Sequence, residues 1–251
     1  MTLVKKIDEI DTVWQAKLTK LAKFVFKNLK NRKFEKILEI GGGAGQFTIP
    51  LLMVSKSNVV VYDSFSGNYK GTEKILKSKA KSLKLDKRLK IIKGNATSVK
   101  KIKNQSFDLI ISHEFICDLD KPSLLKAFKE FYRLLKPNGI MIHCYISPIP
   151  ENISEDIMTK ADSIGTDSPS KGELHAWWSA DEILPIIKES GFRKSFVKYF
   201  DLDVKFNLTT AIERLRRWKA REDFINKNKP SLSKYGLEIP KEECIFSLKE
   251  S

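Results

Sequence analysis

The chain has 251 residues, 41% of them hydrophobic and 31% charged, which is enough for one substantial core and lies within the globular range. No stretch approaches the roughly 20 apolar residues of a membrane span, and Asp8 and Glu9 interrupt the N-terminus where a secretory signal would be apolar, so a cytoplasmic protein without a membrane partner is expected. Three scattered cysteines (Cys117, Cys144 and Cys244) with no CxxC pair argue against a disulfide framework and a zinc knuckle, and the formal charge of +15 suits an anionic partner or substrate.

From Ile7 to Leu29 the apolar residues Ile10, Val13, Trp14, Leu18, Leu21, Phe24, Val25 and Leu29 recur every three or four positions, which predicts an amphipathic helix, read as an N-terminal cap over residues 1–33. Lys36 to Ile40 is a short strand that runs into Gly41-Gly42-Gly43-Ala44-Gly45 and then a helix over Gln46 to Ser55. Asn58 to Tyr62 is a β-branched run without polar alternation, as in a buried parallel strand, and it stops at Asp63. A Lys-rich helix follows, roughly Asn68 to Leu85, with Ile75, Leu76, Ala80 and Leu83 on its inner side. Between Lys70 and Lys103 thirteen basic residues face only Glu73 and Asp86, so most of the excess charge sits in one segment. Strands are predicted at Leu89 to Ile92, Phe107 to Ser112 and Ile140 to Ile146, with a helix between the last two opened by Asp120 and Pro122 and closed by Pro137 and Gly139.

Repeated strand and helix units force parallel pairing through right-handed crossovers, so the fold class is α/β, a doubly wound sheet. The rhythm changes after Pro148 and Pro150: Ile153 to Ile164 reads as a weak helix and Gly165 to Gly172 as a polar loop suited to a lid. Ser179 with Glu182 forms a capping box for a helix ending at Gly191, Phe192 to Phe206 reads as two strands of a closing hairpin, and Thr210 with Glu213 caps a last helix, Ala211 to Asn226. The sheet domain is thus expected over residues 34–207, with a substrate-side insertion at 147–191 and a C-terminal helix and tail over 208–251.

The chemistry concentrates at Glu39-Ile40-Gly41-Gly42-Gly43-Ala44-Gly45, where four of the twelve glycines fall in five positions at a strand-to-helix turn. Glycine there permits a sharp turn and lets a ligand approach the main chain. Nicotinamide and flavin enzymes use a glycine turn in the same place, so the loop by itself leaves the cofactor open. Asp63 ends the second strand about twenty residues on, where a carboxylate accepts ribose hydroxyls. After the third strand, Gly94-Asn95-Ala96 offers a side-chain amide to the edge of an adenine.

These three features together resemble the class I S-adenosylmethionine-dependent methyltransferases over roughly Phe34 to Ile146, most closely the type 11 and type 25 kind that acts on small molecules. The family's acid-x-Gly-x-Gly-x-Gly motif is matched by Glu39, Gly41, Gly43 and Gly45, its acidic residue at the second strand by Asp63, and its Leu-Lys-Pro-Gly-like phrase by Leu134-Leu135-Lys136-Pro137-Asn138-Gly139. The resemblance implies a Rossmann-like seven-stranded sheet and an S-adenosylmethionine cofactor held by Glu39, Gly41, Gly43, Gly45, Asp63, Ser64, Asn95, Ala96 and His113. Two departures stand out. Asn95 replaces the usual Asp, and Ile116-Cys117-Asp118-Leu119 replaces the paired-histidine phrase of many small-molecule members. The Asn-Pro-Pro-Tyr-like tetrad of enzymes that methylate nucleic-acid amines is absent, Ser112-His113-Glu114-Phe115 standing in its place.

The implied reaction is transfer of an activated methyl group to an O, N or C atom by in-line displacement, with a small-molecule acceptor. His113 and Glu114 follow the fourth strand at the carboxyl edge of the sheet and are the catalytic candidates. His113 reads either as a general base or as packing against the cofactor. Trp14, His175, Trp177 and Trp178 are the candidate acceptor walls, with a place in the core as the alternative for the tryptophans. His143, Cys117 and Cys144 read as core residues, and no metal-ligand spacing is visible. An RNA methyltransferase is the second reading, supported by the charge and by Arg214, Arg216, Arg217, Lys219 and Arg221 on the last helix; a nicotinamide oxidoreductase and a noncatalytic cofactor-binding subunit come lower. A monomer and a homodimer are both compatible with the sequence.

Overall fold

The computed structural model describes residues 3–30, 32–100, 102–163 and 178–250. Helix α1 (Leu3–Asn28) leads into β1 (Lys36–Ile40), α2 (Thr48–Val54), β2 (Asn58–Asp63), α3 (Thr72–Ser82), β3 (Leu89–Lys93) and β4 (Phe107–His113). Then come α4 (Lys121–Leu134), β5 (Leu135–Ile146), α5 (Ile153–Ser163), α6 (Ala180–Glu189), β6 (Lys194–Phe200) and β7 (Lys205–Phe206). The chain ends in α7 (Leu208–Arg217), α8 (Glu222–Tyr235), β8 (Leu237–Glu238) and β9 (Glu242–Leu248).

Seven strands form one sheet in the order β3-β2-β1-β4-β5-β9-β6. The first five pair in parallel, and β9 runs antiparallel to both its neighbours. The order reverses beside β1, so the carboxyl ends of β1 and β4 flank the crevice where a doubly wound sheet takes its ligand. Successive side chains alternate between the two faces. Ile37, Val59, Val61, Leu109 and Ile111 pack with Trp14, Leu18, Leu21 and Val25 of α1 on one side. Leu38, Ile40, Val60 and Ile110 pack with Leu124, Phe128 and Phe131 of α4 and Ile183 and Ile187 of α6 on the other. By the same alternation Glu39, His113 and Glu242 fall on the α1 side.

Local chemistry explains the boundaries. Asp120 accepts a hydrogen bond from the Ser123 amide (2.9 Å) and starts α4, with Pro122 in its first turn. The Ser179 and Glu182 capping box starts α6 as expected. Lys-rich α3 is shorter than its pattern predicts because Gly71, at φ +86°, breaks the chain before Thr72. Only Leu76 and Ala80 of its four inner candidates are buried, Ile75 and Leu83 being about half exposed.

The C-terminal third departs from expectation. Residues 192–206 do not fold into a hairpin: β6 pairs with β9, and β7 pairs with β8. The sheet therefore draws on residues beyond 207, with Glu242–Leu248 inserted between β5 and β6. A central strand far along the chain leaves no local periodicity that reveals its partners. The last helix is two helices broken at Trp218, and its cap is Asn207, whose side chain accepts from the Thr210 amide at 3.1 Å, rather than Thr210 itself.

Candidate active site

The glycine turn is held from both ends. The Gly41 amide donates to the Tyr62 carbonyl (3.1 Å) and the Gly45 amide to the Gly42 carbonyl (2.8 Å), while Gly41, Gly43 and Gly45 all sit at positive φ. A Cβ on Gly45 would lie 2.6 Å from Leu76, so that glycine is needed for packing. A Cβ on Gly43 would find only the Tyr69 ring at 3.6 Å, so this glycine faces open space, as a main chain approached by a ligand should.

Asp63 leaves β2 and joins that turn directly: its Oδ2 accepts from the Gly43 amide at 2.8 Å and its Oδ1 from the Phe65 amide at 2.6 Å. A carboxylate has about four lone-pair positions, so two remain for ribose hydroxyls. Ser64 is exposed, with its hydroxyl 2.7 Å from that of Ser66. Asn95 is exposed, but its side-chain oxygen already accepts from the Thr97 amide (2.9 Å) and hydroxyl (2.8 Å). What Asn95 offers an adenine is therefore its NH2 group as donor. Ala96 is buried against the α4 side. The donor set thus fits a nucleoside ligand: backbone amides, a ribose-facing carboxylate and an amide donor, arranged along the carboxyl edge from β1 to β3.

A second group lies at the ends of β4, β5 and β9. The His113 ring stacks on Phe47, just beyond the glycine turn, with centroids 5.1 Å apart. Its Nε2 lies 3.1 Å from Oε1 of Glu242, a residue with no exposed surface. Burial favours neutral His113, but the charges of Glu242, Glu114 and Glu39 win and hold its pKa above the ordinary value. Glu114, at φ +52°, accepts from the Ile146 amide at 2.6 Å. Ligand-type atoms of His113, Glu114 and Glu242 lie within 4.8 Å of one another. Glu39 is buried beneath the turn, and burial raises its pKa to about 7 despite the opposing influence of Thr48 and His113. Oε2 of Glu39 and Oε2 of Glu242 are buried without a hydrogen-bond partner.

Glu242 is the functional candidate that sequence reasoning missed. It lies 129 residues from His113 along the chain and carries no motif. Only the register of β9 against β5, with Glu242 opposite Ile146, brings it to the edge.

Other candidates are placed differently. Trp14 is buried in the cluster on the same side of the sheet as His113, with the Arg214 guanidinium 5.1 Å from its ring. Trp178 packs on the opposite side and donates from Nε1 to the Leu119 carbonyl at 3.2 Å. Trp14 and Trp178 therefore do not face each other across one pocket, because the sheet separates them. His175, Trp177 and the Gly165 to Gly172 loop lie outside the described residues. His143 is fully buried, with Nδ1 2.5 Å from the Ser112 hydroxyl, and burial pushes its pKa down to about 3, so it is a neutral core residue. Cys144 faces Cys244 across β5 and β9, and burial raises its thiol pKa far above the usual range, which leaves it a poor nucleophile.

Residues 38–143 match the family model of the methyltransferase domain. No curated protein matches the sequence. Among solved structures, the YcgJ protein of Bacillus subtilis is similar at 15% identity and TM-score 0.61, covering 92% of this chain and 98% of the other. Phosphoethanolamine N-methyltransferase 2 of Haemonchus contortus, solved with phosphomonomethylethanolamine and S-adenosylhomocysteine, is 17% identical at TM-score 0.60 and covers 92% of this chain and 53% of that one. A possible histamine N-methyltransferase of Thermotoga maritima is 17% identical at TM-score 0.58, over 98% and 96% of the two chains. The matched stretch carries both the glycine turn and Asp63, so residues 38–143 are a methyltransferase domain, and the seven-stranded sheet built on it has the fold of these solved structures.

Proposed function

We propose that the protein methylates a small molecule enclosed between the carboxyl edge of the sheet and helix α1. The observation that carries this reading is the burial of the acceptor-side groups. The His113 side chain is 7% exposed and that of Glu242 not at all, and in this reading the reactive atom enters a chamber that the chain closes around itself. A methyl acceptor on a folded macromolecule needs an open platform instead.

In this reading Gly41, Gly43 and Gly45 give main-chain access, Asp63 accepts the ribose hydroxyls with Ser64 at its rim, and Asn95 donates to the adenine beside Ala96. Glu39 lies beneath the turn, where its free oxygen suits a cationic donor group. The bound donor supplies an activated sulfonium methyl, so the protein's task is to orient the acceptor and take its proton. His113 does the latter. Its Nε2 hydrogen points to Glu242, which fixes the tautomer and leaves Nδ1 as the base, while Glu114, anchored to the Ile146 amide, lines the same space. Trp14 closes the α1 side, and His175 and Trp177 remain acceptor-side candidates from the sequence. Trp178 serves there only by anchoring α6.

The arrangement of arginines weighs against an RNA acceptor. Arg216 pairs with Glu222 at 2.6 Å, Arg221 with Asp223 at 3.1 Å, and the Arg214 guanidinium lies over the Trp218 ring at 4.1 Å as well as near Trp14. The final basic run is largely committed within the chain rather than offered to phosphates. No helix among the described residues is long and apolar enough to cross a membrane. The test is to incubate the protein with methyl-labelled S-adenosylmethionine and a whole-cell extract, then separate label by size. Label in low-mass products is expected; label confined to precipitable RNA or protein would reverse the reading.

A further inference from the structure

The carboxyl edge between β4 and β9 has an unusual charge for this molecule. The chain carries forty-six Lys and Arg against thirty-one Asp and Glu, yet the groups that act on His113 are Glu242, Glu114 and Glu39, all acidic. Asp63 adds its charge at Glu39, and His143, the other imidazole in range, is neutral. One buried oxygen of this cluster, Oε2 of Glu242, also lacks a donor, and a buried unpaired carboxylate oxygen is costly. Among the described residues the groups around His113 are therefore acidic, and Glu242 keeps a buried acceptor oxygen with no donor.

We propose that the methyl acceptor is a primary or secondary amine, bound as its ammonium ion by Glu242 and Glu114 and deprotonated by His113. The proposal rests on the small-molecule reading above and names the chemical class of the acceptor. An ammonium ion supplies both missing things, charge and up to three donors. A carboxylate or phosphate acceptor would be repelled, and an alcohol would bring a donor without charge. Spacing agrees. Two oxygens each about 2.8 Å from one nitrogen, at a tetrahedral angle, are roughly 4.6 Å apart, a separation that falls inside the 4.8 Å bounding the atoms of His113, Glu114 and Glu242.

The step balances. His113 Nδ1 takes one ammonium proton, and the nitrogen lone pair freed by that transfer forms the new N–C bond to the methyl carbon. The C–S bond breaks with its electron pair going to sulfur, which leaves neutral S-adenosylhomocysteine and a methylated ammonium ion. The proton on His113 returns to water after product release.

The full chain is incubated with methyl-labelled S-adenosylmethionine and a deproteinised metabolite extract of the cells that make it, unreacted donor, itself a cation, is identified against a protein-free control and subtracted, and the remaining low-mass label is sorted by charge on ion exchangers at neutral pH. Label in the cationic fraction is expected, with formation reduced about tenfold or more by Glu242→Gln and by Glu114→Gln, while calorimetric affinity for S-adenosylhomocysteine stays within about threefold. If Glu242→Gln loses S-adenosylhomocysteine binding through misfolding, half-buried Glu114 decides. Label in the neutral or anionic fraction overturns the amine but keeps a small acceptor. Absence of any low-mass label removes the small-molecule reading and the amine with it. Calorimetric binding of MnCl2 to the S-adenosylhomocysteine complex, abolished by Glu242→Gln, would assign the cluster to a metal ion and overturn the proposal.

Discussion

The two halves of the site are built by different means. The cofactor half, from Glu39 to Asn95, comes from one continuous stretch and relies on main-chain groups, with three glycines at positive φ and one carboxylate bonded to the turn. The acceptor half joins His113 and Glu114 at the end of β4 to Glu242 at the start of β9, and it relies on buried side-chain charge. A shared cofactor calls for backbone geometry that any member of the family can keep. A particular acceptor calls for side chains, which this chain recruits from its C-terminal strand. The two halves should therefore fail independently.

The largest effect expected on the cofactor half is from Gly43→Val. A β-branched residue at φ +47° is strained, and because the protein leaves the Cβ position nearly open, its methyl groups would occupy ligand space. Calorimetry should show S-adenosylhomocysteine binding reduced by more than about a hundredfold, a loss of more than about 2.7 kcal/mol. Binding within tenfold of the parent in a folded variant would mean that the ligand does not approach this turn.

Asp63→Ala should follow, weakening the same affinity about ten- to a hundredfold, since a hydrogen bond to a charged group contributes about 1.5 to 3 kcal/mol. The same change frees the Gly43 and Phe65 amides, so part of the loss reflects a looser turn. Asp63→Asn separates the two contributions, because its single oxygen can still hold one amide. If Asp63→Ala binds like the parent, the ribose is held elsewhere and the two-halves picture loses its cofactor side.

That contrast also explains what was legible in advance. Strand β1, the glycine turn and Asp63 were readable because their function needs fixed residue types at fixed spacing. The parallel core was readable because strands buried on both faces are continuously apolar, as in Val59 to Tyr62. Glu242 was not readable, since a glutamate in a polar tail is ordinary until β9 is known to enter the sheet. The same missing strand made residues 192–206 read as a hairpin. Trp178 stayed open between pocket and core for a different reason: an indole near a loop has the same sequence signature whether it walls a pocket or, as here, donates to the Leu119 carbonyl behind the sheet.

Glu39 stands between the halves, and its effect should be visible in stability rather than in affinity alone. Burial raises its pKa from 4.5 to about 7. Below pH 4.5 both folded and unfolded states are protonated and nothing is lost. As pH rises above 4.5 the unfolded chain releases this proton while the folded chain retains it, so the folded state is progressively disfavoured until about pH 7. The cost then levels off at about 3 kcal/mol. Urea titrations of the ligand-free protein should show Glu39→Gln gaining stability on the parent between pH 5 and pH 8. Parallel curves for the two proteins over that window would mean that Glu39 is ionised in the fold and paired with His113.

The smallest effect belongs to a region outside both halves, and its smallness is the point. Arg216 is exposed and Arg221 half-buried, and each is held by a neighbouring carboxylate, Glu222 and Asp223. Surface pairs of this kind contribute about 0 to 1 kcal/mol, so Arg216→Gln with Arg221→Gln should barely move the melting temperature. Methyl transfer and S-adenosylhomocysteine affinity should be unchanged, because neither arginine reaches the carboxyl edge of the sheet. An RNA enzyme would respond otherwise: each lost phosphate contact lowers the slope of log K against log salt by about one. Filter binding of total RNA across a salt series, with parent and double variant side by side, distinguishes the cases. Weak binding with the same slope in both proteins leaves the acceptor inside the chamber, whereas tight binding whose slope falls by about two in the variant would move the acceptor onto RNA and take Glu242 out of its recognition.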